Sequence, residues 1–233
     1  MPLDVYQMNG SSPALAVNML IKHLKLPANL HEVNLRTGDH LKPEFIKINP
    51  THTIPTITDD GFALWERQVY LLALALYSKC SAFNRSRTIL RYLVNRYAAD
   101  SDLYPNDPKK RAIVDRMLDF DLGTLYPTAA QWMYPPLLEN KPWDSEKEKV
   151  LSDKLKLFDQ LLESNAYAAG NNLTIADISL LASVSTFDAA GHDFAQYANI
   201  KAWRSLLEQE LPYYNDMVVP YLELLRARFA SYK

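Results

Sequence analysis

The first third of the chain alternates short apolar runs with helical stripes. Leu3 to Met8 predicts a strand that ends at Asn9-Gly10, and apolar residues then recur at positions 17, 20, 21 and 24, which is the spacing of one helix face. Leu30 to Leu35 predicts a second strand. Pro43 opens a short helical piece, at a position where its missing N–H costs nothing.

Two further strands form a predicted hairpin. Ile54 to Thr58 and Phe62 to Trp65 flank Asp59-Asp60-Gly61, and an Asp-Gly pair between two short apolar runs is a strong hairpin signal. The predicted order is therefore βαβαββ. Because crossover connections imply parallel pairing and a hairpin implies antiparallel pairing, we expect a mixed sheet.

From about residue 69 onward the pattern predicts helices and no strand. Two sets of residues each share a helical face: Ile89, Tyr92, Leu93 and Tyr97, and Leu151, Leu155, Phe158 and Leu162. Thr174 to Asp177 is typical of a capping box at a helix start. A polar stretch over 100–106 predicts a connector between an α/β domain at 1–99 and an all-α helical bundle at 107–233.

Composition excludes several functions. Only 6 of the 233 residues are Gly, and none lie within 20 positions of each other, which excludes dinucleotide fingerprints and phosphate loops. The net charge is −2 and the sequence contains no run of like-charged residues, so we expect neither nucleic acid nor membrane as a partner. Cys80 is the only cysteine and the N-terminus lacks signal-peptide features, which together predict a cytoplasmic protein.

Ser11, between the first strand and the first helix, is the main candidate for chemistry. It suits an ordinary helix N-cap before Pro13, and the same position suits a hydroxyl that holds an anion such as a thiolate. No G-x-S-x-G elbow supports a serine hydrolase. The five histidines and the lone cysteine lack metal-ligand spacing, so no metal site is expected. From their helical spacing we expect a core position for four aromatic residues, Phe120, Tyr126, Trp132 and Tyr134.

Several motifs together give a resemblance to a known family. In chain order they are Gly10-Ser11-Ser12-Pro13, Gly38 to Phe45, Asn49 to Pro55, Asp60 to Glu66, Leu103-Tyr104-Pro105, Lys109 to Ala112 and Tyr167 to Gly170. With this order the chain resembles the insect delta-class (delta/epsilon-like) cytosolic glutathione transferases. The resemblance implies a thioredoxin-like N-terminal domain, an all-helical C-terminal domain, a homodimer, and glutathione as co-substrate with no other cofactor.

The resemblance also implies residue roles. Ser11 would stabilise the glutathione thiolate, and Ile54 would offer backbone hydrogen bonds before a cis proline. The glutathione-binding residues that it implies are His40, His52, Thr53, Ile54, Pro55, Glu66, Ser86 and Arg87. Tyr126 and Trp132 would line a pocket for the electrophile. Two departures are Ala14-Leu15, where the family has Cys-Arg, and Asp119, where an aromatic residue over the pocket is common.

A third departure interrupts the glutathione-binding motif. The family runs Trp-Glu-Ser-Arg without a break, whereas here nineteen residues, 67–85, separate Glu66 from Ser86-Arg87. The insertion is a gene-model or splicing artefact, an extra helix that displaces the Ser86 helix, or a loop that lets Ser86 return beside Glu66. Of the two structural alternatives we favour the extra helix, because Val69, Leu72, Ala73 and Leu76 have helical spacing.

Two functions follow as hypotheses. The first is a glutathione transferase that conjugates the thiolate to small hydrophobic electrophiles. The alternative is a protein of the same fold that binds ligands or is inactive, because the insertion breaks the grip on the γ-glutamyl end of glutathione.

Overall fold

The computed structural model describes residues 2–66 and 86–232. Its residues fall into two compact units, Met1–Tyr97 and Ala98–Lys233. The predicted connector at 100–106 begins a few residues after this division. The residues 67–85, and with them any helix predicted there, lie outside the described part.

The first unit contains the predicted mixed sheet. Its strands are β1 (Leu3–Gln7), β2 (Ala28–Glu32), β3 (Thr56–Asp59) and β4 (Phe62–Trp65), in the order β2-β1-β3-β4. β1 pairs parallel with β2 and antiparallel with β3, and β3 pairs antiparallel with β4. The helices are α1 (Ser12–His23), α2 (Pro43–Ile48) and α3 (Arg87–Tyr97), with one 3-10 turn at Asp39–Leu41.

The hairpin forms as its sequence predicts. Asp60 and Gly61 have φ angles of 49° and 83°, so both residues are left-handed, as the tightest two-residue hairpin turn requires. Gly accepts this conformation without steric cost, and Asp is among the side chains that tolerate it.

The strands β2 and β3 are shifted from their predicted positions. β2 begins at Ala28 and ends at Glu32, whereas its sequence alternation suggested Leu30 to Leu35. The parallel register with β1 fixes this edge strand, and Asn34 then turns the chain by accepting a hydrogen bond from the Arg36 amide at 2.9 Å. β3 begins at Thr56, because the preceding proline has no N–H for a strand ladder.

The second unit is helical, as predicted. Its helices are α4 (Pro108–Phe120), α5 (Tyr126–Glu139), α6 (Ser145–Leu162), α7 (Ile175–Ala190), α8 (Ala198–Glu210) and α9 (Tyr214–Ala230), with a π-helical turn at Asp121–Leu125 that joins α4 to α5. The predicted capping box at Thr174 and Asp177 is confirmed at the start of α7. The predicted apolar face of α6 is fully buried. None of the described helices is long and apolar enough to cross a bilayer.

Candidate functional site

Three connections of the first unit meet at one end of its sheet. Ser11 follows the carboxyl end of β1. In the register, Tyr6 near that end faces Thr56, and Thr56 also faces Trp65 at the end of β4. The segment that enters β3 and the residue that follows β4, Glu66, therefore lie at the same end of the sheet as Ser11. Motifs far apart in sequence are thus gathered at one end of the sheet.

Ser11 occupies the predicted N-cap position of α1, but its hydroxyl does not cap the helix. Its backbone is extended, with φ −90° and ψ 118°, and its side chain makes no capping hydrogen bond. Gly10, at φ 82°, turns the chain into the helix, and the Ser11 amide donates to the Met8 carbonyl at 3.1 Å. The half-buried hydroxyl is thus placed beside the positive end of a twelve-residue helix, where an anion is favoured.

The Ile54-Pro55 peptide bond is cis, as the resemblance implied. A buried amide braces the segment before it: Asn49 donates to the Thr53 carbonyl at 2.9 Å and to the Thr56 hydroxyl at 2.8 Å. The oxygen of Asn49 accepts from the amide and hydroxyl of Thr51 at 2.8 and 2.6 Å. The loop from position 49 to position 56 is therefore fixed by one side chain.

His40 and His52 lie together, with ring centroids 6.0 Å apart. Nδ1 of His40 is buried and has no hydrogen-bond partner within the described residues. Burial, with a smaller effect of His52, lowers the pKa of His40, so the ring is neutral at pH 7. His52 has a φ of 47°, and side chains held in this left-handed region are concentrated at functional sites.

The segment after the insertion returns to Glu66. A carboxylate oxygen of Glu66 accepts a hydrogen bond from the Thr88 amide, in the first turn of α3, at 3.2 Å. The hydroxyl of Ser86, just before that helix, is buried and has no partner among the residues that the structure describes. Arg87 is also buried, at 1% exposure.

This contact corrects our preferred account of the insertion. An inserted helix that displaced the Ser86 helix would separate Glu66 from Ser86, whereas the structure brings α3 back beside Glu66. The described residues agree with the return of the segment after the insertion, and whether 67–85 form a helix or a loop lies outside them. The error arose because helical spacing at 69–76 says nothing about which segment packs beside β4.

The two predicted electrophile-pocket residues are both buried in the second unit. Tyr126 is 2% exposed, and its hydroxyl lies 2.6 Å from that of Tyr134. Trp132 is 3% exposed and contacts Trp143, with ring centroids 4.7 Å apart. Both tryptophans border a pocket of about 400 Å³ at the start of α6, whereas Tyr126 does not. The two side chains are thus not brought into one pocket within this unit.

Sequence reasoning missed two buried polar residues. Asn49 belonged to a recognised motif but received no role, and Asp59 was assigned only to the hairpin. Asp59 is 5% exposed and accepts hydrogen bonds from Tyr92 and Tyr97, 33 and 38 residues away in sequence. A carboxylate directly after an apolar strand was the available signal. Within the described ranges, no group of three or more His, Cys, Asp or Glu side chains could hold a metal ion.

Comparison with known proteins identifies the family. The glutathione S-transferase N-terminal domain profile matches residues 10–75, and the C-terminal domain profile matches residues 125–210. A delta-class glutathione transferase of Nilaparvata lugens is 37% identical, with a TM-score of 0.88 and 100% of each chain covered. The chain belongs to the glutathione S-transferase family. It is a glutathione transferase with the two-domain fold that the resemblance implied.

Other insect glutathione transferases are similar along almost the whole chain. An epsilon-class enzyme of Musca domestica is 30% identical, with a TM-score of 0.85, covering 99% of this chain and 98% of that one. A glutathione transferase homologue of Drosophila mojavensis, solved with bound glutathione, is 29% identical, with a TM-score of 0.84 and coverage of 99% and 97%. The N-terminal profile ends before Ser86, so the return of α3 to Glu66 is evident only in three dimensions.

Proposed function

We propose that this glutathione transferase binds glutathione at the sheet end of its first unit and conjugates the thiolate to small, largely apolar electrophiles. The observation that carries the proposal is the Glu66–Thr88 hydrogen bond, because it brings the first turn of α3, directly after Ser86, back to Glu66 across the nineteen intervening residues. The inactive or purely ligand-binding alternative supposes that the insertion separates Glu66 from this segment. The contact therefore favours the enzyme.

Glutathione would lie across the site with its three residues at three places. Glu66, Ser86 and Arg87 would hold the γ-glutamyl end, where the Ser86 hydroxyl has no partner among the described residues. Thr53, Ile54 and Pro55 would align the cysteinyl part. His40 and His52 would contact the glycine carboxylate, with the neutral ring of His40 acting as a hydrogen-bond donor or acceptor and not as a fixed cation.

Ser11 would stabilise the thiolate without a general base. Lowering a thiol pKa by two units from its usual value near 8.5 requires about 2.7 kcal/mol of preference for the anion. One hydrogen bond to a charged acceptor supplies ~1.5–3 kcal/mol, and a helix N-terminus adds ~0.3–1 kcal/mol. The two together give about 1.8–4 kcal/mol, a range that includes the required preference. The thiol proton leaves to solvent, the sulfur then forms a bond to the electrophilic carbon, and any leaving group departs with its electron pair.

The proposed electrophile site is built around Trp132. Trp132 is the better supported of the two predicted residues, because it borders a pocket, whereas the Tyr126 hydroxyl already contacts Tyr134. Asp119 is exposed on α4, which is consistent with a more polar approach to the substrate. We further propose a cytoplasmic homodimer that uses glutathione as co-substrate and no other cofactor.

Substitution of Ser11 tests the mechanism. We expect Ser11→Ala to lower kcat for a chromogenic electrophile by about 10- to 100-fold, because it removes one hydrogen bond to a charged sulfur. The KM for glutathione should change little. The pH profile of the variant should shift to higher pH, because the thiol pKa rises. Ser12→Ala is the matched control, since this neighbouring hydroxyl is buried at 4% exposure.

Retention on immobilised glutathione separates the two functions. A folded protein that is retained and turns over supports the enzyme. A folded protein that flows through the column supports the alternative. Unchanged turnover in Ser11→Ala would remove Ser11 from the mechanism.

A further inference from the structure

Chain connectivity does not fix where α3 lies. Nineteen residues separate Glu66 from Ser86, and an extended segment of that length reaches up to about 65 Å. In a continuous Glu-Ser motif, the backbone alone would keep the two side chains adjacent. In this chain, contacts between α3 and the sheet contribute to setting the position of the helix.

Apolar packing holds α3 in the unit but does not choose its position finely. The buried residues of the helix are Arg87, Ile89, Leu90, Leu93 and Val94. Hydrophobic burial is non-directional, so a helix that slides or rotates slightly retains most of it. Hydrogen bonds depend steeply on distance and angle, and they select one position.

Asp59 supplies such bonds at two points of the helix. One carboxylate oxygen accepts from the Tyr92 hydroxyl at 2.7 Å, and the other accepts from the Tyr97 hydroxyl at 2.7 Å. The two tyrosines are five residues apart, about 7.5 Å along the helix axis. Two contacts separated in this way restrict both rotation and sliding of α3. The ring of Tyr92 also packs on Phe62, in the hairpin that carries Asp59, with centroids 5.4 Å apart.

The charges of this cluster keep the bonds strong at neutral pH. Burial acts to raise the pKa of Asp59, but the hydrogen bonds from Tyr92 and Tyr97 and the charge of Arg96 bring it below its usual value. Burial and the hydrogen bond to Asp59 raise the pKa of Tyr92 to about 12, and the same two causes raise the pKa of Tyr97. The carboxylate is therefore ionised and both hydroxyls are protonated donors, which gives short, charge-assisted hydrogen bonds.

We propose that Asp59, through Tyr92 and Tyr97, is a positioning residue that holds the first turn of α3 where the Thr88 amide meets Glu66. Tyr92 is one helical turn beyond Thr88, so a displacement at Tyr92 moves the Thr88 amide directly. The proposal rests on the proposed function, since it assigns the cluster to the γ-glutamyl end of the glutathione site. Asp59 and the two tyrosines act on binding and touch no reacting atom.

The test uses Tyr92→Phe, Tyr97→Phe and the double variant of the full chain, which keep the rings and remove the hydroxyls. We expect the KM for glutathione to rise about tenfold or more in the double variant and less in each single one. At saturating glutathione kcat should stay within about twofold, and the KM for the electrophile should not change. Tyr104→Phe is the matched control, because Tyr104 donates to Asp115 at 3.0 Å in the second unit.

Amide exchange measured by NMR separates positioning from general weakening of the helix. Exchange of the Thr88 amide should accelerate about tenfold or more in the double variant, while that of the Leu93 amide, inside α3, changes less than threefold. Equal acceleration of both amides, or a glutathione KM within twofold of the wild type, would overturn the proposal. Activity that falls only in proportion to the folded fraction would overturn it too.

Failure of the two proposals can be told apart. If the wild-type protein neither binds nor conjugates glutathione, the proposed function is refuted, and the Thr88 exchange still decides whether Asp59 positions α3. If the wild type is active and the variants are indistinguishable from it, only the positioning role is refuted. Should the double variant not fold, the single variants decide, and Tyr97→Phe is the milder because Tyr97 is 40% exposed.

Discussion

Removing the Asn49 side chain should loosen the whole sheet end of the first unit. Asn49 is completely buried, and five hydrogen bonds join it to Thr51, Thr53 and Thr56. An amide nitrogen has two hydrogens and the oxygen has two lone pairs, so four of these bonds can be made at once. Asn49→Ala removes all of them and leaves the Thr51 amide and the Thr53 carbonyl without this partner.

The expected loss follows from those bonds. Each neutral hydrogen bond contributes ~0.5–1.5 kcal/mol net, so four give ~2–6 kcal/mol, and we expect about 3–4 kcal/mol. Asn49→Asp keeps the two bonds accepted from Thr51 and replaces the donated ones by a buried charge facing the Thr53 carbonyl. At neutral pH we therefore expect it to be no more stable than Asn49→Ala.

Hydrogen exchange reports this loss for each unit of the protein. The slowest amides of β1 and β3 should exchange about 100- to 1000-fold faster in Asn49→Ala, since each 1.4 kcal/mol is a factor of ten. Asn165→Ala is the control, because the Asn165 side chain donates an exposed hydrogen bond to the Leu161 carbonyl at 3.3 Å. Amide exchange of β1 and β3 in this variant should stay within about threefold of the wild-type rates. An acceleration below tenfold in Asn49→Ala would refute the assignment of the loop's rigidity to this side chain.

Two further substitutions test other features. Burial lowers the pKa of His192 from its usual value of 6.5, although the Glu148 carboxylate lies 3.2 Å from the ring and acts in the opposite direction. Because the unfolded chain then binds more protons than the folded one, the folded state loses stability as the pH falls below about 6.5. Calorimetry from about pH 7.5 to about pH 5 should show a smaller fall in Tm for His192→Phe than for the wild type, and equal slopes would contradict this. Gly61→Ala should cost about 1–2 kcal/mol, because Gly61 has a φ of 83°. Gly123→Ala should stabilise the protein by up to ~1 kcal/mol, because a Cβ at this helical position meets open space. Urea unfolding measures both variants, and midpoints that move in the same direction would contradict these two predictions.

Local signals predicted the parts of the fold that depend on neighbours in sequence. The Asp60-Gly61 turn and the Thr174–Asp177 capping box are set by a few adjacent residues, and both form as expected. β2 was misplaced because its ends are fixed by the register with β1, which its own alternation does not contain.

The candidate site divides in the same way. Ser11 was correctly placed at a helix start, but only the structure shows that its hydroxyl leaves the helix uncapped. The return of α3 to Glu66 and the bonds of Asp59 to Tyr92 and Tyr97 join residues more than 20 positions apart. Such contacts depend on where whole elements pack, and no pattern within a short window encodes them.

The contacts that hold α3 also have a use in protein engineering. Glu66, Asp59 and the apolar face of α3 all contribute contacts that hold this helix against the sheet without using the covalent connection from β4. The polypeptide could be opened at this junction to create new termini, or supplied as two fragments that reassemble. The same junction would then make a reporter whose glutathione-dependent activity depends on the two pieces meeting.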